Sequence, residues 1–227
     1  MSDLLSIATI ALAGIVQASL QLSLGGLILL YHASMGRHKK RKTRYLAKNY
    51  IIGACSISFV MVCALAFVIQ EFWNGAMSQE LMVILVGVLA ACALVMWIGY
   101  YRAGKGTELW LPKSFSRFIT SRAKRTNDRI EAFSLGMLSA FAEFPITAAI
   151  YFVVANCLLS VRFPLVAALV YVVIVAMPMI ALKFNIKTGK NIIAAQKQRV
   201  KNKRFMKIFS GSGFAVLALF VMAFWVF

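Results

Sequence analysis

The stretch Ala132–Asn156, AFSLGMLSAFAEFPITAAIYFVVAN, decides how this chain is read: it holds a single charged residue, Glu143, followed two positions later by Pro145. A run this long and apolar reaches, as a helix, across the roughly 30 Å hydrocarbon core of a bilayer. An ionisable side chain inside such a run costs about 2.5–3.5 kcal/mol on insertion scales and is by default a functional position. Pro145 removes a backbone donor from the same region, so the helix is expected to open there, leaving carbonyl oxygens for the Thr147 hydroxyl or for a ligand. Glu143 stands twelve residues beyond Glu131, the last charge before the segment. At 1.5 Å per residue that is about 18 Å, close to the midplane.

The remaining sequence belongs to the same class. Of 227 residues, 61% are apolar and 14% charged, with a mean hydropathy of +0.80, whereas soluble domains carry about a quarter charged residues. Apolar segments at 5–33, 50–70, 81–101, 132–156, 164–182 and 208–227 predict an all-α, polytopic membrane protein with six transmembrane helices.

The net charge of +18 could suggest nucleic acid, but its distribution argues otherwise. Of the 25 Lys and Arg residues, 24 fall in three alternate connections: Arg37–Lys48, Arg102–Arg129 and Lys183–Lys207. Those connections share one side of the membrane, and the positive-inside rule makes that side cytoplasmic. Both termini are then outside, together with Asp3, Glu71 and Glu80. No folded aromatic module accompanies the basic loops, so nucleic acid is not expected as a partner; anionic lipids at the cytoplasmic loops are. Within residues 102–131, Leu111, Phe115, Phe118 and Ile119 share a helical face. With Pro112 to open it, this linker predicts a short amphipathic helix on the inner surface. The first segment has no Lys or Arg before it and reads as an anchor, not as a cleaved leader. The membrane implied is the plasma (inner) membrane.

Helices 1–3 (residues 1–101) and helices 4–6 (132–227) flank that longest linker. Three spans per half place the halves in opposite orientation, the 3+3 arrangement of inverted-repeat transporters. A shift of 122 positions lays Gly14 on Gly136, Gln21 on Glu143 and Ser23 on Pro145. Gln17 lies one turn from Gln21, and a primary amide in hydrocarbon needs partners; the repeat-related carboxylate is the expected one for Gln21. Gly25 and Gly26 are expected to let helices approach closely or to line a cavity, and with Pro145 they are the candidate helix-breaking residues. Gly211 and Gly213 in the sixth segment offer a contact for a homo-oligomer.

Other chemistry finds little footing. Cys55, Cys63, Cys92 and Cys157 form no CxxC motif and read as small buried hydrophobes. His32 and His38 lack metal-ligand spacing, and Met177 and Met179 around Pro178 read as core. Gly104-Lys105-Gly106-Thr107 lacks phosphate-loop spacing. No Ser, His and Asp set exists for hydrolysis. No cofactor or resident metal is implied.

The six-span layout, with a polar, helix-breaking motif opening each half, resembles the lysine exporter superfamily and its relatives among the CcdA and DsbD membrane electron carriers. The stretch from Gly136 to Thr147 is similar to the second-half Glu-Leu-Pro-Cys-Thr motif of the CcdA-like proteins, with Ile146 in the place of the cysteine. Leu24 stands at the equivalent place in helix 1. Thiol exchange needs two sulfurs, so the resemblance implies a relative that keeps the scaffold and the acid without the redox pair. The Pro-Gly-Pro sequence associated with amino-acid exporters is also absent.

These features lead to one expectation: a small secondary transporter, an exporter of a small or cationic solute or metal ion. Glu143 would bind substrate or proton, and Gln21, Gln17 and Thr147 would be neutral ligands, where helices 1 and 4 cross. Two alternatives stand beside it. One is a CcdA-like thiol-disulfide carrier using Cys55, Cys63 or Cys92. The other is a structural or regulatory membrane protein in which Glu143 only ties helices together.

Overall fold

The computed structural model describes residues 3–20, 22–35, 40–75, 77–98, 118, 121–123, 125–185 and 203–226. Gln21 and all but Phe118 of the expected amphipathic face lie outside these residues. Among the described residues the fold is helical and contains no strand. In chain order the helices are α1 (Asp3–Leu20), α2 (Leu22–Met35), α3 (Lys40–Trp73), α4 (Gln79–Ile98), α5 (Arg129–Phe141), α6 (Phe144–Leu159), α7 (Pro164–Asn185) and α8 (Lys203–Val221). A π-helical turn, Met222–Val226, closes the last helix.

Among the described residues five helices are long and apolar enough to cross a membrane, and α5 with α6 makes a sixth span if the bent pair is counted as one. The lipid-type surface is also visible in what stays uncovered. Phe67, Ile84, Leu94, Leu165, Val173, Ile208 and Leu219 are all exposed, far more apolar surface than a monomeric soluble protein leaves in water.

The expected segment 50–70 begins earlier in the structure, because α3 starts at Lys40. Lys and Arg are good helix formers, and the helix simply continues out of the apolar zone through its basic residues. At 34 residues it is about 51 Å long, some 20 Å more than the hydrocarbon requires. At its other end Asn74 and Gly75 take φ of 51° and 92°, the left-handed turn that stops a helix and that glycine enters without strain.

The expected segment 132–156 is two helices, α5 and α6, inclined at 79°. Asp128 and Glu131 form the reciprocal capping pair that starts α5, with the Glu131 carboxylate accepting the N–H groups of Asn127 at 2.7 Å and Asp128 at 3.3 Å. Helix α5 ends at Phe141, and Pro145 sits in the first turn of α6, the position where its missing N–H costs a helix nothing.

The bend is held by close packing. Helix α3 makes its most extensive contact with α5. A Cβ at Gly136 would lie 2.0 Å from the Tyr50 carbonyl oxygen, and one at Gly53 would lie 2.1 Å from that of Phe133. Two glycines thus let the two backbones touch.

Expectations for other glycines are corrected. Gly25 and Gly26 lie inside α2, which runs through them without a break. A single glycine weakens a helix without forcing it open, and Gly26 instead makes room for the Tyr50 hydroxyl, 2.3 Å from where its Cβ would stand. Gly211 faces the Trp97 ring of α4 and Gly213 faces Val16 of α1. Both are spent on packing within the chain, so neither offers the outward contact expected of them.

Two apolar clusters fill the bundle. One joins Ile10, Val16, Leu89, Met96, Val154, Phe214 and Leu217 from α1, α4, α6 and α8. The other joins Leu27, Leu30, Leu46, Tyr50 and Leu135 from α2, α3 and α5. Cys55 packs against both, and the polar side chains gather one turn away from it.

Candidate functional site

Glu143 occupies the corner between α5 and α6 and is 7% exposed. Its backbone carbonyl accepts the N–H groups of Ile146 and Thr147, both at 3.0 Å, and the Thr147 hydroxyl at 3.0 Å. The opened turn is therefore satisfied locally, as expected where Pro145 withdraws a donor. Thr147 is fully buried.

Glu143, Thr147 and Tyr151 follow one another at intervals of four and line one stripe of α6. Tyr151 is the centre of the site. Its hydroxyl accepts the amide N–H of Gln17 at 2.9 Å and donates to Ser58 Oγ at 3.3 Å. The Tyr171 hydroxyl donates to Gln17 Oε1. A directed chain therefore runs from Tyr171 of α7 through Gln17 of α1 and Tyr151 of α6 to Ser58 of α3. Each link is buried, where a missing partner costs more than the bond contributes.

Aromatic rings wall the cluster. Phe144 stacks on Tyr151 with ring centroids 6.1 Å apart, and Tyr171 meets Tyr151 edge-on at 6.3 Å. Two phenols, an amide and the Ser58 hydroxyl from α1, α3, α6 and α7 are thus joined inside an otherwise apolar bundle, on the stripe of α6 that Glu143 and Thr147 share.

Of the residues singled out in the sequence, Glu143, Thr147 and Gln17 meet here, and Pro145 forms the corner beside them. Gln21 lies outside the described residues. The partners of Gln17 are Tyr151 and Tyr171, which the sequence reading did not select. A tyrosine in an apolar run reads as core, yet the four-residue rhythm from Glu143 was visible and would have found Tyr151. Nothing in the sequence points to Ser58 or Tyr171, because their join to Gln17 is tertiary.

The four cysteines are free; Cys157 is buried and the others half-buried. Cys55 and Cys63 are eight residues apart on α3, about 12 Å along the axis, beyond the span of a disulfide. Among the described residues no three His, Cys, Asp or Glu side chains are grouped to hold a metal ion.

Comparison of the chain with protein-family models, with curated proteins and with solved structures found no match.

Proposed function

We propose that this chain is a small secondary transporter of the plasma (inner) membrane, exporting a small or cationic solute or metal ion, with Glu143 as the group that binds substrate or a proton. The observation that carries the reading is the placement of Glu143. It is buried at the 79° corner of a broken span, on the stripe of α6 whose Tyr151 bonds side chains of α1 and α3. A membrane protein bears the cost of such a group where it faces a protein-lined path. Gln17, Thr147 and, in this proposal, Gln21 are the neutral ligands. The phenols of Tyr151 and Tyr171 add faces on which a cation can rest.

The proposal includes a 3+3 inverted repeat with both termini outside. The shift of 122 residues that pairs Gln21 with Glu143 also carries 42–63 of α3 onto 164–185, the extent of α7, and 81–98 of α4 onto 203–220 within α8. Packing supports the same pairing. Helix α1 lies against α7 as α5 lies against α3. Gly14 is crowded by Ile174 of α7 at 3.0 Å, and its counterpart Gly136 is crowded by Tyr50 of α3. In inverted-repeat transporters the binding site forms at midplane from broken helices of the two halves, and access alternates as one half rocks on the other. The chain from Tyr171 to Ser58 ties both halves together, so it must part when access changes. The likeness to the lysine exporter superfamily enters on the same footing, as part of the proposal.

Reconstitution tests it. Proteoliposomes carrying the wild-type chain or Glu143→Gln would be assayed against a panel of monovalent cations, divalent metals and amino acids. The expected result is that at least one solute crosses with the wild type and ceases to cross with E143Q, while size-exclusion profile and helicity are retained. Flux that is unchanged in E143Q, or a wild type that moves nothing in the panel, overturns the assignment.

A further inference from the structure

A second site lies at the basic end of the bundle, remote from Glu143 and unconnected with what passes it. There the first turns of α3 meet the chain entering α5 and enclose a groove of about 520 Å³. Arg41, Lys42 and Arg129 line it, with Tyr45 on its wall and Leu46 beneath. Among the described residues no salt bridge engages any of the three cations. The Arg129 guanidinium lies over the Tyr45 ring, 4.3 Å from its centroid, so it is oriented by stacking while its N–H edge stays open.

The one carboxylate on the groove is Asp128. It is occupied with the start of α5, where it forms the capping pair with Glu131. Helix α3 has no acidic residue in its first turn, so the positive end of its dipole adds to the three side chains instead of being cancelled. The groove therefore carries a concentrated positive field with two planar forks, the chemistry that recognises a phosphate.

Its depth selects the source of that phosphate. Tyr45 stands five residues before Tyr50, where the apolar part of α3 begins, about 8 Å along the axis. That is the thickness of the headgroup layer on one side of a bilayer. Apolar side chains continue below it: Ile52, two turns beyond Tyr45 on the same face of α3, and Ile130, next to Arg129, are both exposed. Cations above and a bare aliphatic surface beneath match the two ends of an anionic lipid.

We propose that this groove is a binding site for the phosphate headgroup of an anionic glycerophospholipid, with Arg41 and Arg129 gripping the phosphate, Lys42 adding charge and the acyl chains lying along Ile52 and Ile130.

Native mass spectrometry of the full chain in detergent tests it, with titrations of phosphatidylglycerol, of phosphatidylcholine of the same acyl chains, and of soluble glycerol phosphate. The wild type should bind the anionic lipid at least about tenfold more tightly than the zwitterionic one, a gap that charge-assisted hydrogen bonds can supply. Arg41→Gln with Arg129→Gln should abolish that preference. Lys183→Gln with Lys207→Gln, which removes the same charge at the ends of α7 and α8, should leave it within about twofold, since a local site depends on close contacts more than on total charge. If the double arginine variant is poorly folded, Arg41→Lys with Arg129→Lys keeps the charge but loses the fork and should give an intermediate loss. Three results overturn the proposal: equal losses in the arginine and lysine pairs, no loss in the arginine pair, or full competition by glycerol phosphate alone.

Discussion

Tyr151 is the residue on which the polar centre turns, since its one oxygen meets both Gln17 and Ser58. Tyr151→Phe keeps the ring and its stacking on Phe144 but leaves the Gln17 amide and the Ser58 hydroxyl without their partner. A loss of about 1–3 kcal/mol is expected, the usual cost of an unsatisfied buried polar group, read as unfolding in detergent. Gln17→Leu combined with Y151F should cost less than the two single losses added together, because the second change removes the group that the first one stranded. Glu143 itself was legible from sequence because charge is rare in apolar runs. The tyrosines were not, because a phenol is as compatible with packing as with hydrogen bonding, and only the approach of α1 and α7 to α6 decides which role it has.

Single helices explain where the chain turns at Glu143. Pro145 was legible as a breaker, and the chain does divide beside it. Of the two readings of Gly25 and Gly26, close packing holds at Gly26 and helix breaking at neither, because glycine permits a break that only a missing donor or a packed neighbour enforces. The extent of α3 was also hidden: its basic residues read as a loop, and helical hydrogen bonding continues past the edge of the apolar zone. The clearest contrast at this scale is between two glycines. Gly136 has no room for a methyl group, while Gly87 of α4 has nothing within 4 Å of its Cβ position. Gly136→Ala should therefore force α5 away from α3 and cost about 1–3 kcal/mol by overpacking. Gly87→Ala should be neutral or slightly stabilising, by up to about 1 kcal/mol from helix propensity. Parallel thermal unfolding of the two variants separates close packing from a general effect of alanine.

The whole molecule is an apolar bundle with a basic end and a polar centre. Composition alone conveyed the helical membrane class and a count of about five to six spans, since hydrocarbon sets their length and leaves little freedom. Which helices touch which was not readable, because apolar faces look alike to one another. The pairing of α5 with α3 and of α1 with α7 rests on small residues scattered through both halves. In our proposal these pairs are the contacts across which the two halves rock, and the acid at their meeting point is reached by water from each side in turn.

That claim is tested most directly by placing a single cysteine at the corner, Glu143→Cys, in a chain whose four native cysteines are replaced, and treating inside-out and right-side-out vesicles with a membrane-impermeant thiol reagent. The account predicts labelling from both faces, with a Leu94→Cys control, set among exposed apolar side chains of α4, remaining unlabelled. An unreactive cysteine at position 143 from either face, in a chain that still folds, would contradict it.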